Sequence, residues 1–333
     1  MKKKKRIGRL EIERSLCILF FLYYSGLDVT EMEKVLILFN DSSGKNEGKA
    51  IAQQLANSIQ TVQSDWKVEL QPSNADIKAE TIRKKAHDMQ ATRLVFIGGD
   101  GTIHHLVKTF KDELDRYVVG IIPGGTVNNF ARSLELPLEQ EAAFEVITNG
   151  QIKAVDYGLI NQEDVIISTL TIGILADTAV RVTQEEKQTY GPFAFAKRFV
   201  KLWFRKKRYH LTITTDEQVW KGKVALLTIT MTNSAGGYVH FDPNATPDDG
   251  EMHVTILEKL SVLQAFRLLP LIILGKVDQI ADVVYFSSPT IKIEATERKV
   301  ETRTDGDPTA HLPVTLEVQK QGMKVLVPEN ESK

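Results

Sequence analysis

Residues 94–106 read LVFIGGDGTIHHL, and this stretch decides the fold. An apolar run ends at a glycine-rich turn, after which apolar residues resume at helical spacing. The same strand–turn–helix pattern repeats through the first 150 residues, which predicts a parallel sheet with helices on its faces. Ligands of such sheets bind beyond the carboxyl ends of the strands. The predicted strands are 34–39, 66–72, 93–98 and 117–123, and the predicted helices are about 46–62, 76–90 and 102–114.

The turn GGDGT at residues 98–102 has the residue types of a phosphate site. Glycines let a ligand approach the backbone, and the first amides and the dipole of the following helix favour an anion. Asp100 would repel a bare phosphate, so its presence predicts either an intervening Mg²⁺ or an attacking hydroxyl for it to orient. A tight strand-to-helix connection is the structural alternative.

A second glycine-rich turn, in IIPGGTVNNFARSLELP at residues 121–137, also follows a strand and opens a helix. Ordinary helix capping by Thr126 and Asn128 would explain part of it. Two such turns at adjacent strand ends nevertheless form one donor-rich crevice, which predicts a nucleotide site. The candidate donors here are Gly124, Gly125, Thr126, Asn128, Asn129 and Arg132.

After about residue 150 the pattern changes to short alternating strands, typical of a β-sandwich or barrel. The strands predicted there are 153–160, 165–173, 209–215, 223–233, 252–260, 290–296, 313–319 and 323–328. We therefore predict an uncertain N-terminal extension (1–32), an α/β nucleotide-binding domain (33–150) and a β-sandwich domain (151–333), whose last strand could pack back on the first domain. Helical stretches are predicted at about 192–206 and 260–270. The net charge of −1 argues against binding of polyanions by the whole surface, and one cysteine, Cys17, excludes an intramolecular disulfide and a cysteine-based zinc site.

The segments GGDGT and PGGTVNNFARSL together resemble the diacylglycerol kinase and sphingosine kinase type of lipid kinases, in particular the soluble bacterial branch. FNDSSGK (39–45) looks like that family's first nucleotide loop. YGPFAF (190–195), MTNSAGGY (231–238), PNATPDDGEMHV (243–254) and TDGDP (304–308) look like its β-domain landmarks. GGDGT alone is shared with NAD kinases and phosphofructokinases, so a NAD or sugar kinase is an alternative that the other segments argue against.

The resemblance implies a phosphofructokinase- or NAD-kinase-like nucleotide-binding domain, ATP as cofactor and phosphorylation of a lipid hydroxyl. It implies a structural Mg²⁺ at Thr246, Asp249 and Glu251, and it places the catalytic base at Asp307, with Asp305 as the weaker alternative and Asp100 as a second catalytic residue. A plain turn at 246–251 and a hairpin turn at 304–308 are the structural alternatives. The nucleotide-binding candidates are Asn40, Asp41, Ser42, Ser43, Gly44, Gly99, Asp100, Gly101, Thr102, Ile103, His104, His105 and Thr126.

Several positions depart from the family pattern. Asp307 stands where the family has glutamate, and an aspartate is one methylene shorter. Asp41 replaces a proline, His104–His105 replaces Asn-Glu, and Asn129 replaces a common aspartate. These departures keep open a catalytically weakened lipid- or nucleotide-binding protein of the same fold. We assign the histidine pair no metal role.

The basic, aromatic segment KRFVKLWFRKKR (197–208) suits an anionic membrane surface. A solvated helix face explains it equally well, and RNA binding has no other support. LLPLIILGKV (268–277) could line a lipid cleft or pack in the core. The apolar run CILFFLYY (17–24) is too short to span a bilayer. We therefore predict a cytoplasmic protein, peripheral to the inner face of the membrane, with a membrane lipid as substrate and no nucleic-acid partner; a homodimer stays open.

Overall fold

The computed structural model describes residues 32–40, 47–74, 76–173, 208–235, 238–239, 242, 244–259 and 283–329. Predictions for residues 1–31, 41–46, 174–207 and 260–282 lie outside these ranges, including Asp41, Ser42, Ser43 and Gly44 of the first loop. The described helices are α1 (Gly48–Val62), α2 (Ala79–Met89), α3 (Asp100–Phe110), α4 (Asn129–Ser133) and α5 (Gln140–Asn149), with a 3₁₀ turn at Leu114–Arg116.

Eighteen strands are found within the described ranges, and most of the predicted strands are among them. They are β1 (Lys34–Phe39), β2 (Lys67–Pro72), β3 (Arg93–Gly98), β4 (Val118–Pro123), β5 (Gln151–Ile160), β6 (Asp164–Ile166), β7 (Thr169–Gly173), β8 (Tyr209–Thr214), β9 (Val219–Val224), β10 (Leu226–Thr230), β11 (Ser234–Ala235), β12 (Tyr238–Val239), β13 (Met252–Leu257), β14 (Val283–Ser288), β15 (Thr290–Ala295), β16 (Glu301–Thr304), β17 (Asp307–His311) and β18 (Val314–Val327).

The N-terminal part is built on four parallel strands in the order β2–β1–β3–β4. β1 and β3 are apolar along most of their length because helices cover both faces of a parallel sheet. One core cluster joins these strands to α1, α2, α3 and α5. All four carboxyl ends lie at one edge, so Asn40, Ser73, Gly99 and Gly124 follow neighbouring strands there.

The long strand β18 connects the two halves of the molecule. It pairs in parallel with β4, Val325 lying opposite Val119, and antiparallel with β5 and β15. The sheet then continues through β8 and β9 to a total of ten strands. The predicted domain boundaries at 32 and 150 remain predictions.

A second, antiparallel sheet runs in the order β14–β13–β10–β7–β16–β17. Its inward side chains, such as Ile172, Ile229 and Val254, share a second core cluster with Ile213 and Ile293 of the first sheet. Two sheets packed face to face make a β-sandwich. The predicted fold class, an α/β part with a parallel sheet followed by a β-sandwich, is confirmed.

Some element boundaries differ from the prediction, for local reasons. The helix predicted at 102–114 begins at Asp100 and ends at Phe110. The apolar run 165–173 is two strands rather than one, because the amides of Ile167, Ser168 and Thr169 turn to bind Asp305. The segments 313–319 and 323–328 form the single strand β18.

Candidate active site

The two glycine-rich turns pack backbone against backbone. The Gly124 amide donates to the Gly98 carbonyl at 2.9 Å. A Cβ on Gly125 would lie 2.6 Å from the Gly99 Cα, and a Cβ on Gly99 would lie 2.9 Å from the Gly125 Cα. Only glycine permits this approach, so these residues bring the carboxyl ends of β3 and β4 together into one surface.

The start of α3 presents backbone amides at this surface. The Gly99 carbonyl accepts from the amides of Thr102 and Ile103. The amides of Asp100 and Gly101 come earlier, where a helix has no internal acceptors for them. Ile103 is buried in the core, and Thr102 fills the space that a Cβ on Gly98 would need, 2.5 Å from the Thr102 Cβ. Among these nucleotide candidates, Gly99 and Gly101 could therefore contact a ligand through their backbone atoms, whereas the Ile103 side chain packs in the core.

The Asp100 carboxylate ties the two turns together. It accepts from the amides of Asn129 at 3.1 Å and Phe130 at 3.2 Å, which are the first amides of α4. Burial raises the pKa of Asp100 above its usual range; these amide bonds oppose that effect, and the negative charge of Asp305 adds to it. The structure thus gives Asp100 a role in assembling the turns, and its predicted catalytic role stays a prediction.

The side-chain donors proposed for the second turn bind the turn itself. Asn128 adopts a left-handed φ of 54°, accepts from the Gly125 amide at 2.9 Å and donates to the Gly125 carbonyl at 2.8 Å. The Arg132 Nε donates to the Val127 carbonyl. Thr126 is exposed at the tip. Asn129 lies against β11, where the Ser234 hydroxyl donates to its Oδ1 at 3.4 Å.

The hairpin β16–β17 carries the two candidate bases, and their environments differ. Asp305 and Gly306, with φ of 52° and 97°, form its two-residue turn. The Asp305 side chain is 1% exposed and accepts from the amides of Ile167, Ser168 and Thr169 at 2.8–3.1 Å. Asp305 is therefore a structural anchor.

Asp307 is exposed, and its Oδ2 lies 3.3 Å from the position that a Cβ on Gly101 would occupy. The carboxylate therefore lies over the first turn of α3, beside the glycine-rich surface. The hairpin turn that was the structural alternative for 304–308 is present, and the catalytic role predicted for Asp307 stays a prediction.

His104 is held between two carboxylates. Its Nδ1 lies 2.9 Å from Asp305 Oδ2 and its Nε2 lies 3.1 Å from Asp164 Oδ1. Burial alone would lower the pKa of His104, but the two hydrogen bonds and both negative charges raise it to about 9. His105 behaves oppositely: burial, with the charges of His104 and Lys108, lowers its pKa. The structure thus pairs His104, predicted to bind nucleotide, with protein carboxylates.

The loop predicted to hold Mg²⁺ is ordered around Asp249. The carboxylate accepts from the amides of Thr246 at 2.7 Å and Glu251 at 2.8 Å and is 3.0 Å from His253 Nε2. Burial tends to raise the pKa of Asp249, and these contacts outweigh it and lower the pKa. Oδ2 receives the contacts from Thr246 and His253, whereas Oδ1 accepts only from the Glu251 amide among the described residues, which leaves one of its lone pairs open. One carboxylate site with backbone carbonyls fits Mg²⁺, which keeps several waters. The described residues contain no cluster of three histidine, cysteine or acidic side chains suited to a metal.

Two polar residues near the site were not singled out from the sequence. Ser73 is buried just after β2, its amide donates to the Phe39 carbonyl, and its hydroxyl has no hydrogen-bond partner among the described residues. A serine directly after a predicted strand was a usable signal. Asp156 is buried and accepts from the amides of Gly250 and Gln321, both at 2.6 Å, which fixes the Asp249 loop against β5 and β18. No local pattern marked that residue.

Comparison with known proteins agrees with this geometry. A model of the diacylglycerol kinase catalytic domain matches residues 34–160. A model of the YegS C-terminal NAD kinase beta sandwich-like domain matches residues 171–327. The chain belongs to the diacylglycerol kinase-like family. This membership supports kinase chemistry on a lipid.

Similar family members are bacterial. A diacylglycerol kinase of Staphylococcus carnosus is 26% identical over 90% of this chain and 96% of that protein. One of Staphylococcus haemolyticus is 28% identical over 77% and 76%. A crystal structure of a diacylglycerol kinase from Bacillus anthracis covers 90% of this chain and 99% of that one, with a TM-score of 0.74 and 23% identity, and it supports the fold. Within the described ranges no helix is both long and apolar enough to cross a membrane.

Proposed function

We propose that the chain transfers the γ-phosphate of ATP to the hydroxyl of a membrane lipid, diacylglycerol or another membrane alcohol. The observation that carries this proposal is the position of Asp307, a solvent-exposed carboxylate over Gly101 at the start of α3. A base beside a glycine-lined surface with helix amides is the arrangement that phosphoryl transfer to an alcohol requires. Family membership supports the lipid as acceptor.

The residues of the chain would act mainly by positioning and electrostatics. The early amides of α3 would bind the phosphates, because the amides of Gly124 and Gly125 already donate to Gly98 and Asn128 within the turns. Asp307 would accept the proton of the lipid hydroxyl as the hydroxyl oxygen attacks the γ-phosphorus, and the bond from the γ-phosphorus to the β,γ-bridging oxygen would break to release ADP. Thr246, Asp249 and Glu251 would hold the structural Mg²⁺ that the family resemblance implies, which when bound would cross-link the 246–251 loop through carboxylate and carbonyl oxygens. We further propose that the protein works at the inner face of the membrane, where its substrate lies.

A second candidate is a binding protein with weakened turnover. It is favoured by the short aspartate at position 307, because a misplacement of about 1 Å can cost on the order of a hundredfold in rate. The two candidates differ in how phosphate transfer should respond when Asp307 is replaced by the longer glutamate.

The test is transfer of labelled phosphate from ATP to an extracted bacterial lipid mixture. Asp307→Asn should lower kcat by about a hundredfold or more, since general-base catalysis contributes roughly that much. Asp112→Asn, at a 70% exposed aspartate after α3, is the matched control and should be unchanged. Transfer only by Asp307→Glu would favour the weakened protein. A water-soluble labelled product, or full activity in Asp307→Asn, would refute the proposal.

A further inference from the structure

One face of α3 is in contact with the hairpin that carries Asp307. Gly101, His104 and Lys108 are spaced three and four residues apart, so they lie on the same side of the helix. Asp307 lies over Gly101, and Asp305 contacts His104. Asp164, at the start of β6, bridges His104 and Lys108, with Lys108 Nζ 2.8 Å from its Oδ2. His104 thus connects α3 to the turn of the β16–β17 hairpin.

The geometry requires a charged imidazole. Both ring nitrogens of His104 are within hydrogen-bond distance of carboxylate oxygens, Asp305 on one side and Asp164 on the other. A neutral imidazole has only one N–H, so one nitrogen would present its lone pair to a carboxylate. Either tautomer would therefore lose one bond and gain a repulsion. The ring is 14% exposed, and little water can replace the lost bond.

Asp305 transmits this contact to Asp307. Its turn has only two residues, and Thr304 pairs directly with Asp307 across the hairpin. Three backbone amides bind the two carboxylate oxygens of Asp305, and His104 shares Oδ2 with one of them. Among these partners His104 alone belongs to the helix that follows the glycine turn. Movement of α3 relative to the hairpin would change the distance from Asp307 to Gly101.

Resting on the proposed function, we propose that protonated His104 is a positioning residue: by binding Asp305 and Asp164 together it fixes the hairpin on α3 and sets the reach of Asp307. The substitution of the family's asparagine by histidine then makes this contact dependent on pH. The contact is complete at neutral pH and is lost as pH rises through about 9, where His104 loses its proton. The charged groups that act on His104 are Asp305 and Asp164, and the charge of His104 acts on His105. Lys108 binds Asp164, and Asp100 interacts with Asp305.

The first test does not require activity. In the full-length protein, the His104 ring protons followed by NMR should titrate with a midpoint near 9, and hydrogen exchange of the 305–307 amides should increase in His104→Ala. His210→Ala removes a histidine–glutamate pair that is about half exposed on β8, and it is the matched control with unchanged exchange at 305–307. A His104 midpoint near 6.5, or unchanged exchange in His104→Ala, would overturn the proposal.

The second test uses the pH profile of kcat with the labelled-phosphate assay. Wild type should lose about tenfold in kcat between pH 8 and 10, whereas His104→Asn should be active with a flat profile over that interval, because an amide can still donate to Asp305 without titrating. His104→Ala should lower kcat by on the order of tenfold at pH 7.5 and leave the KM for ATP within about twofold. An alkaline fall retained in His104→Asn would contradict the proposal. If wild type phosphorylates no lipid, the proposed function fails while the NMR and exchange results still decide the role of His104.

Discussion

Replacing Gly101 by alanine should separate stability from catalysis. Gly101 is the second residue of α3 and is exposed, and its φ is not in the left-handed region, so alanine fits the helix backbone. In a helix interior alanine is favoured over glycine by roughly 0.5–1 kcal/mol. Because Gly101 is in the first turn, we expect the lower end, about 0.5 kcal/mol of added stability.

Catalysis should suffer from the same methyl group. The new Cβ would lie 3.3 Å from Asp307 Oδ2, closer than an ordinary carbon–oxygen contact, so the carboxylate must retreat by a few tenths of an ångström. The methyl group also covers the surface from which the first α3 amides would reach a phosphate. Since about 1 Å of displacement costs on the order of a hundredfold, a retreat of a few tenths of an ångström should lower kcat by roughly three- to tenfold.

The assay is a paired measurement on Gly101→Ala and wild type: urea unfolding for stability, and kcat and KM for phosphate transfer. The expected result is an unchanged or higher unfolding midpoint with a markedly lower kcat. Gly101→Ala with full kcat and normal KM for ATP would refute the reasoning, because neither Asp307 nor the amides of α3 could then act where the structure places them. A large loss of stability would refute the premise that the position is helical and open.

Three further predictions concern stability. Gly125→Ala should cost about 1–3 kcal/mol in urea unfolding, because its Cβ would lie 2.6 Å from the Gly99 backbone. Asp156→Asn should cost roughly 2–3 kcal/mol by the same assay, since an amide group cannot accept at both ends from Gly250 and Gln321. Burial favours a raised pKa for Asp164, but His104, Lys108 and the Val165 amide lower it to about 2. Because the pKa of Asp164 is lower in the folded than in the unfolded protein, its carboxylate stabilises the fold above about pH 4, and this stabilisation is lost towards pH 2. The free energy of unfolding, measured by urea unfolding across this range, should fall by roughly 2 kcal/mol in wild type and much less in Asp164→Asn.

Features carried by local pattern were predictable from the sequence. Alternating apolar strands and helices gave the parallel sheet, and the glycines of both turns marked the carboxyl edges of β3 and β4. A glycine is informative because so few backbone arrangements need one: Gly99 and Gly125 are required by a close contact that any Cβ would prevent. Such a requirement is visible in the residue type itself.

The contacts that complete the site could not be predicted, because they join distant parts of the chain. His104 and Asp305 are separated by 201 positions, and no periodicity connects them. β16 and β17 were not predicted as strands, since Thr302 and Thr304 are polar residues that are buried. The Asp-Gly pair at 305–306 was the available hairpin signal. Asp305 is the structural anchor and Asp307 the candidate base because only Asp305 faces backbone amides. Which of the two carboxylates does so follows only from the register of the hairpin.

The site as a whole depends on both halves of the chain being folded together. The glycine turns belong to the parallel sheet, whereas Asp307 belongs to the second sheet, so the candidate base is outside the matched catalytic-domain segment 34–160. β18 also pairs with β4 and β5, and without it the edge of β4 would present unpaired backbone groups. The C-terminal half therefore completes the sheet of the N-terminal half and supplies its candidate base. In this arrangement His104 lies where a contact between the halves can control the distance from Asp307 to Gly101.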